Sequence, residues 1–247
     1  QLGVPPRKLA PYLERRTSGH NALIEQSGQF LGSLLTALDR GRIDTTNIKL
    51  LRTEGFAKSA ILDESRTEVL IGSASDALKA IQDAKPGDTL TFLPGIYRFG
   101  GKNLAANRAG SAERPITVRA AQLGKVILEF DMLEGFLVSA PYWSFENLTI
   151  RGVCKLHSNC EHAFHVVGNA THFIARNNTL LDFNAHFKIN GHQGFFPDHG
   201  IIENNALSNE SARQTDNPVT PIDLVAASNW QIRGNRIADF IKLQGDK

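Results

Sequence analysis

Seven of the eight histidines fall between positions 157 and 199, a clustering that even spacing along 247 residues would not produce. Imidazole, lysine and carboxylate together form a side-chain set that moves protons near neutral pH, so this stretch is where chemistry is expected. If Phe164, Phe187 and Ile222 each open a strand with the ring or branched chain turned inward, then His165, Lys188 and Asp223 point outward and stack on one another. Two positions further on, Val167, Asn190 and Val225 also face out, and His186, one before Phe187, is assigned to the same outward side. Lys188 is the candidate base for removing a proton alpha to a carboxylate. Protonated imidazoles at His165 and His186 would disfavour its ammonium form, while Asp223 pulls the other way. The alternative is a solvated ladder in which Lys188 and Asp223 form an ordinary surface pair.

Other polar residues suit supporting roles. Arg213 lies in 208–220 (SNESARQTDNPVT), which interrupts the strand pattern and is expected to project as a loop, where a guanidinium would hold a substrate carboxylate bidentately or simply be solvated. His192 and His199 flank Phe195-Phe196-Pro197, whose aromatics suit stacking on a sugar ring or pinning the loop. His162, His165 and Glu161 crowd one strand start, but residues three apart in a strand face opposite ways, which argues against a shared transition metal. Calcium is the better cofactor candidate, with Asp223 and loop carboxylates as hard oxygen ligands. Cys154 and Cys160 enclose five residues, a loop that a disulfide closes in an oxidising compartment; unpaired thiols are the alternative.

The elements that would position these groups are read from an internal repeat. Residues 143–150 (WSFENLTI), 173–180 (FIARNNTL), 200–207 (GIIENNAL) and 230–237 (WQIRGNRI) start 30, 27 and 30 residues apart. Stacking them puts Ile150, Leu180, Leu207 and Ile237 in one column, with Asn178, Asn205 and Asn235 in a second and Asn147, Asn177 and Asn204 in a third. Asn tolerates left-handed backbone, and its amide can bond to the turn above, so such columns suit stacked turns. Phe136, Phe164, Phe187 and Ile222 open a further strand column. Strand columns that recur every 20-odd to 30 residues describe a coil whose rungs bury each other. Four Asn-x-Ser/Thr sequons, at Asn147, Asn169, Asn177 and Asn209, largely coincide with these columns and carry no functional weight.

Ahead of the repeat, Ser73-Ala-Ser-Asp76 resembles a capping box, and Ala74, Ala77, Leu78, Ile81 and Ala84 make one apolar stripe, predicting a helix over 74–84 that ends at Lys85-Pro-Gly-Asp88. Residues 1–65 differ in character. A basic, proline-bearing start (Pro5, Pro6, Arg7, Lys8, Arg15, Arg16) precedes a predicted helix over 22–40, with apolar positions Leu23, Phe30, Leu34 and Leu38, Asn21 as its N-cap and Gly41 at its end. The expected division is a helical arm, 1–65, and a coil domain, 66–247. A net charge of +2, from 27 basic and 25 acidic side chains, supplies no field for nucleic acid, and no apolar run is long enough to span a membrane. A start at Gln1 without Met implies an upstream piece, such as a signal peptide or anchor.

The run 74–97 (ASDALKAIQDAKPGDTLTFLPGIY) resembles the opening of the pectate-lyase-like right-handed parallel β-helix superfamily: an amphipathic capping helix, Pro-Gly-Asp, then a first strand ending in Pro-Gly-x-Tyr. It is most similar to the chondroitinase B and alginate lyase branch, and the resemblance covers about residues 68–245. It implies an all-β parallel β-helix with an N-terminal capping helix and, more loosely, a secreted or periplasmic polysaccharide lyase that cleaves an acidic, uronate-containing polymer. The branch's Glu-Ile-Ile strand with its Lys-Ser and Arg-His-Gly is absent, as are the Asn-Thr-Asp and paired Asp-Asp of polygalacturonases and the Asp-Pro-His-Asp of mannuronan epimerases, so no catalytic residue is carried over. The competing reading is a non-catalytic glycan-binding or surface-assembly protein using the same face. A third makes the chain a structural fragment. Finally, the repeat runs through Ile232, Ile237, Phe240, Ile241 and Leu243 to Gly245-Asp-Lys247 with no capping helix, which predicts that the last rung is covered by something outside the sequence: further rungs, a second polypeptide or a symmetry mate.

Overall fold

The computed structural model describes residues 13, 16–17, 21–38 and 67–243. Gly41, the basic proline-bearing start and Gly245-Asp-Lys247 lie outside the described residues. The chain divides into two units between Ala57 and Lys58. In the first, helix α1 (Ala22–Leu38) begins where expected, with Asn21 Oδ1 accepting the Ile24 N–H at 3.1 Å. The side chains of Leu23, Phe30 and Leu34 are exposed, while Gly28 is buried against Thr17, whose side chain fills the place a Cβ would take.

The second unit is a right-handed parallel β-helix. In chain order it comprises β1 (Glu68–Ile71), α2 (Ala74–Asp83), β2 (Thr89–Phe92), β3 (Gly95–Gly100), β4 (Leu104–Ala106), β5 (Ile116–Ala120), β6 (Val126–Asp131), β7 (Glu134–Val138), β8 (Trp143–Glu146) and β9 (Thr149–Gly152). There follow β10 (His162–Val167), β11 (Ile174–Arg176), β12 (Thr179–Leu181), β13 (Ala185–Asn190), β14 (Ile201–Glu203), β15 (Ala206–Ser208), β16 (Thr220–Val225), β17 (Gln231–Arg233) and β18 (Arg236–Ile237). Among the described residues these strands form three parallel sheets. The first has the order β1-β2-β5-β8-β11-β14-β17, the second β3-β6-β9-β12-β15-β18 and the third β4-β7-β10-β13-β16. From β5 on, the chain returns to the same sheet after visiting the other two, so each circuit is one rung.

The columns read from the repeat are real neighbours. Ile150, Leu180, Leu207 and Ile237 are in register across the second sheet. In the turn between the first and second sheets Asn147, Asn177 and Asn204 have φ of 65°, 56° and 57°, the left-handed region that Asn accepts more readily than most residues, and Gly234 takes that place in the next rung at φ 64°. The Asn after each positive-φ residue in the last three rungs joins a ladder: Asn178 N donates to Asn205 Oδ1 at 2.9 Å and Asn205 N to Asn235 Oδ1 at 2.9 Å. Each amide Nδ2 also caps a strand carbonyl, Asn178 to Phe145 O at 3.0 Å and Asn205 to Ala175 O at 3.0 Å. Buried backbone groups at a corner are thereby satisfied without water.

Inside the coil, Phe136, Phe164 and Phe187 stack with ring centroids 5.1 and 5.3 Å apart, a spine worth about 0.5–1.5 kcal/mol per pair beyond the area it buries. Helix α2 closes the N-terminal end. Ser73 Oγ accepts from Asp76 N at 3.1 Å, and Ala77 and Ile81 are fully buried on the core. At the other end Ile232, Ile237, Ile241 and Leu243 are exposed. Among the described residues no helix is long and apolar enough to cross a membrane.

Candidate functional site

The third sheet turns a polar face outward. Strands β10, β13 and β16 place His165, Lys188 and Asp223 in one register column, as the spacing of Phe164, Phe187 and Ile222 required. Lys188 Nζ lies 2.6 Å from Asp223 Oδ2, both side chains being partly exposed. His165 Nδ1 is 2.7 Å from Glu134 Oε1 on β7, and His165 Nε2 is 2.9 Å from Asn190 Oδ1 on β13. Asn190 Nδ2 donates to Gly191 O, which fixes its oxygen toward the ring. Both ring nitrogens therefore face acceptors, an arrangement that the doubly protonated imidazolium satisfies.

The electrostatics agree. Burial works against a charged His165, but the hydrogen bonds to Glu134 and Asn190 outweigh it and raise its pKa above the usual 6.5. The same hydrogen bond from His165 holds the Glu134 carboxyl below its usual range, with Asn103 a minor contributor. His162 stands edge-to-face with His165, ring centroids 5.6 Å apart. Burial lowers the pKa of His162, opposed by Glu161 and Glu134 and assisted by His165 and Lys188. One imidazole on this face is thus held toward the cation and its neighbour toward the neutral form.

The shared face of His162 and His165 corrects the expectation that residues three apart diverge. Strand register pairs Glu134, His162, Ala185 and Thr220 in one column and Phe136, Phe164, Phe187 and Ile222 in another, leaving one residue between the columns where strict alternation would put it facing out. Ala163 and Phe164 are both fully buried, as are His186 and Phe187, so two successive side chains turn inward and the alternation slips by one. The site of the slip in β7 is Gly135, where a Cβ would come within 2.9 Å of Ala163 O. The same slip moves His186 off the outer face. Its ring is inside the coil against Phe240 and Phe183, at 5.0 and 6.3 Å, and burial pushes its pKa down to about 3.

Arg213 is also not the free clamp expected of a projecting loop. It is buried, with Nε donating to Asn184 Oδ1 at 3.0 Å and a terminal nitrogen to His157 O at 3.1 Å, and its backbone bonds to Ile241 and Leu243. It ties segment 208–220 to the loop closed by Cys154 and Cys160, which are bonded with Cα atoms 5.7 Å apart. Beside it is a recess of about 430 Å³ lined also by Arg151, Asp182 and Glu210, where Arg151 pairs with both acids. His199 sits at the turn leading into β14, stacked with His172 at 5.1 Å, which stacks on Tyr142 at 4.5 Å. Phe195 and Phe196 are exposed on the loop that follows Asn190, and the Phe196 ring occupies the space that a side chain at Gly191 would need. They border the face at the Asn190 end.

Among the described residues no group of three or more His, Cys, Asp or Glu is placed to hold a metal ion. Asp223 meets an ammonium rather than a second carboxylate, so the donor set for calcium expected there does not form. Sequence reasoning missed Glu134, which precedes Phe136 by two positions but joins the outward face only because Gly135 slips the alternation.

No family model matches the chain. Among curated proteins it is similar to pectate lyase L of Dickeya chrysanthemi, 27% identical over 84 residues, covering 29% of this chain and 20% of that protein. Similar solved structures include an alginate lyase from Paenibacillus, at 16% identity and a TM-score of 0.45, covering 68% of this chain and 75% of that one. A rhamnogalacturonan lyase has a TM-score of 0.48 at 12% identity, covering 70% and 62%.

Proposed function

We propose that the outer face of the third sheet binds an acidic, uronate-containing polysaccharide and cleaves it by β-elimination, in a secreted or periplasmic setting consistent with the disulfide. The observation that carries this reading is the edge-to-face pairing of His165, whose hydrogen bonds favour its protonated form, with His162, whose burial disfavours it, beside Lys188 on one partly exposed face. The partial similarity to a pectate lyase supports the substrate class. Lys188, met by Asp223 at 2.6 Å, serves as the cation that a uronate carboxylate takes over on binding, rather than as the base. The charge of His165 adds to that field without leaving Glu134 and Asn190. His162 accepts the proton at C5, the electron pair forms the C4–C5 double bond as the C4–O4 bond breaks, and water protonates the departing oxygen. Phe195 and Phe196 offer stacking surface for a neighbouring sugar.

Incubation with pectate and alginate separates this reading from a glycan-binding one. Ultraviolet absorbance from unsaturated uronate supports cleavage, whereas retention on the polymer without absorbance supports binding alone. Because the His162 pKa is lowered, the acid limb of the rate profile is expected below pH 6.5 and to vanish with turnover in His162→Gln. A limb above 6.5 that survives this substitution would remove His162 from the mechanism.

A further inference from the structure

A recess with no part in the elimination chemistry lies where α2 meets the third sheet. The helix packs against β4 and turns Ala77 and Ile81 into the core. Leu78 and Gln82, each one position further on, stand a turn apart on the neighbouring stripe of the helix. With Lys102, Asn103, Ala105 and Asn107, from β4 and its flanks, they line a hollow of about 260 Å³. That is just under the about 300 Å³ at which drug-sized sites begin, room for one sugar ring rather than several.

The hollow continues the polar face. Ala105, Leu137, His165, Lys188 and Asp223 form one register column across β4, β7, β10, β13 and β16. Ala105 sits between Leu104 and Ala106, both fully buried, so alternation turns its methyl group outward on the same side as His165. Asn103 adds a weaker hydrogen bond to the Glu134 carboxylate that His165 already engages. The lining is mixed: Leu78 and Ala105 are apolar, Gln82, Asn103 and Asn107 carry amides, and Lys102 is a cation. Among the described residues Lys102 enters no ion pair, and the side chains of Gln82, Lys102 and Asn107 make no hydrogen bond to the protein. A uronate ring has the matching surfaces: C–H groups for the apolar wall, hydroxyls for the amides and a carboxylate for the ammonium.

We propose that this hollow is a remote subsite for one uronate residue of the chain that the outer face binds, with the carboxylate on Lys102, the ring against Leu78 and Ala105, and hydroxyls on Gln82 and Asn107. The inference rests on the reading of that face as a polyuronate site. Strands in a sheet are about 4.8 Å apart, so the three spacings from β4 to β13 put the hollow roughly 14 Å from Lys188. One ring cannot touch both, whereas an oligosaccharide lying across the strands can. Contacts so far from the reacting bond are made equally in the bound substrate and the transition state, so the subsite selects for chain length through affinity.

The test is calorimetric binding of hexasaccharides of pectate and of alginate to the full chain carrying His162→Gln, which keeps the ligand intact during titration. Adding Lys102→Met, which retains the aliphatic stem of an exposed residue, is expected to weaken binding of the preferred hexasaccharide at least about tenfold. Lys125→Met, which removes an equally exposed cation in the turn between β5 and β6, should leave it unchanged. Lys188→Ala should weaken it as well. Binding that Lys188→Ala weakens and Lys102→Met does not would overturn the subsite and leave the outer face standing as the polyuronate site. Equal weakening by Lys102→Met and Lys125→Met would reduce the effect to overall charge and overturn the subsite too. Absence of hexasaccharide binding, or binding indifferent to Lys188→Ala, would overturn the reading of the face and the subsite with it.

Discussion

The corner between the first and second sheets and the outer face of the third sheet are built from the same rungs but obey different rules. At the corner the interval of 30, 27 and 30 residues is kept, asparagines are spent on backbone groups, and Asn178 and Asn205 are almost wholly buried. On the third sheet the alternation slips at Gly135, Ala163 and His186, and the polar side chains bond mainly to one another, with Asn190 alone of them also reaching a backbone carbonyl, that of Gly191. Where repetition is strict, polar residues hold the coil together. Where it slips, they form a cluster free to meet a ligand.

Substitutions should separate the two regions. The largest loss of stability is expected for Asn178→Ala, which leaves the buried Leu148 N without its acceptor and removes an amide bond to Phe145 O, a cost of about 3 kcal/mol in denaturant unfolding. Next, replacing Cys154 and Cys160 together with serine should cost about 2 kcal/mol in the chain-entropy model, with faster exchange confined to the loop around His157 and Glu161. A shift in the Asn178→Ala midpoint smaller than that of the cysteine pair would break the ordering.

The pH dependence sharpens the contrast within the third sheet. His186 is neutral in the fold with a pKa near 3, against 6.5 when unfolded, so stability should fall as pH drops from 6.5 toward 3, and His186→Leu should flatten that slope. In the outward pair the two partners have opposite slopes. A raised His165 contributes fully below pH 6.5 and is lost as pH rises through its folded value, while a lowered Glu134 contributes above 4.5 and is lost as pH falls through its folded value. Their joint contribution is therefore complete between 4.5 and 6.5, where Glu134→Gln should cost the least of the set, about 1 kcal/mol. Unfolding midpoints measured across pH check both.

What the sequence made legible follows the same division. The Asn and branched aliphatic columns could be stacked by eye because strict spacing leaves a periodic trace, and the His165–Lys188–Asp223 column followed from the Phe164, Phe187 and Ile222 anchors. The slip has no such trace. It rests on two successive inward residues and a glycine that admits a carbonyl at close range, so Glu134 went unseen, His162 was sent to the wrong face and His186 was placed outside. Arg213 was misread for a different reason: its partners Asn184 and His157 lie 29 and 56 residues away, and nothing local marks the contact.

The most direct test of the division is turnover of polyuronate by Lys188→Ala, followed as unsaturated product in the ultraviolet, beside its unfolding midpoint. Turnover lost by at least about a hundredfold, with stability within about 1 kcal/mol of the parent, is the predicted result. Parent-level turnover in Lys188→Ala, or a loss of activity matched by loss of the fold, would contradict the account.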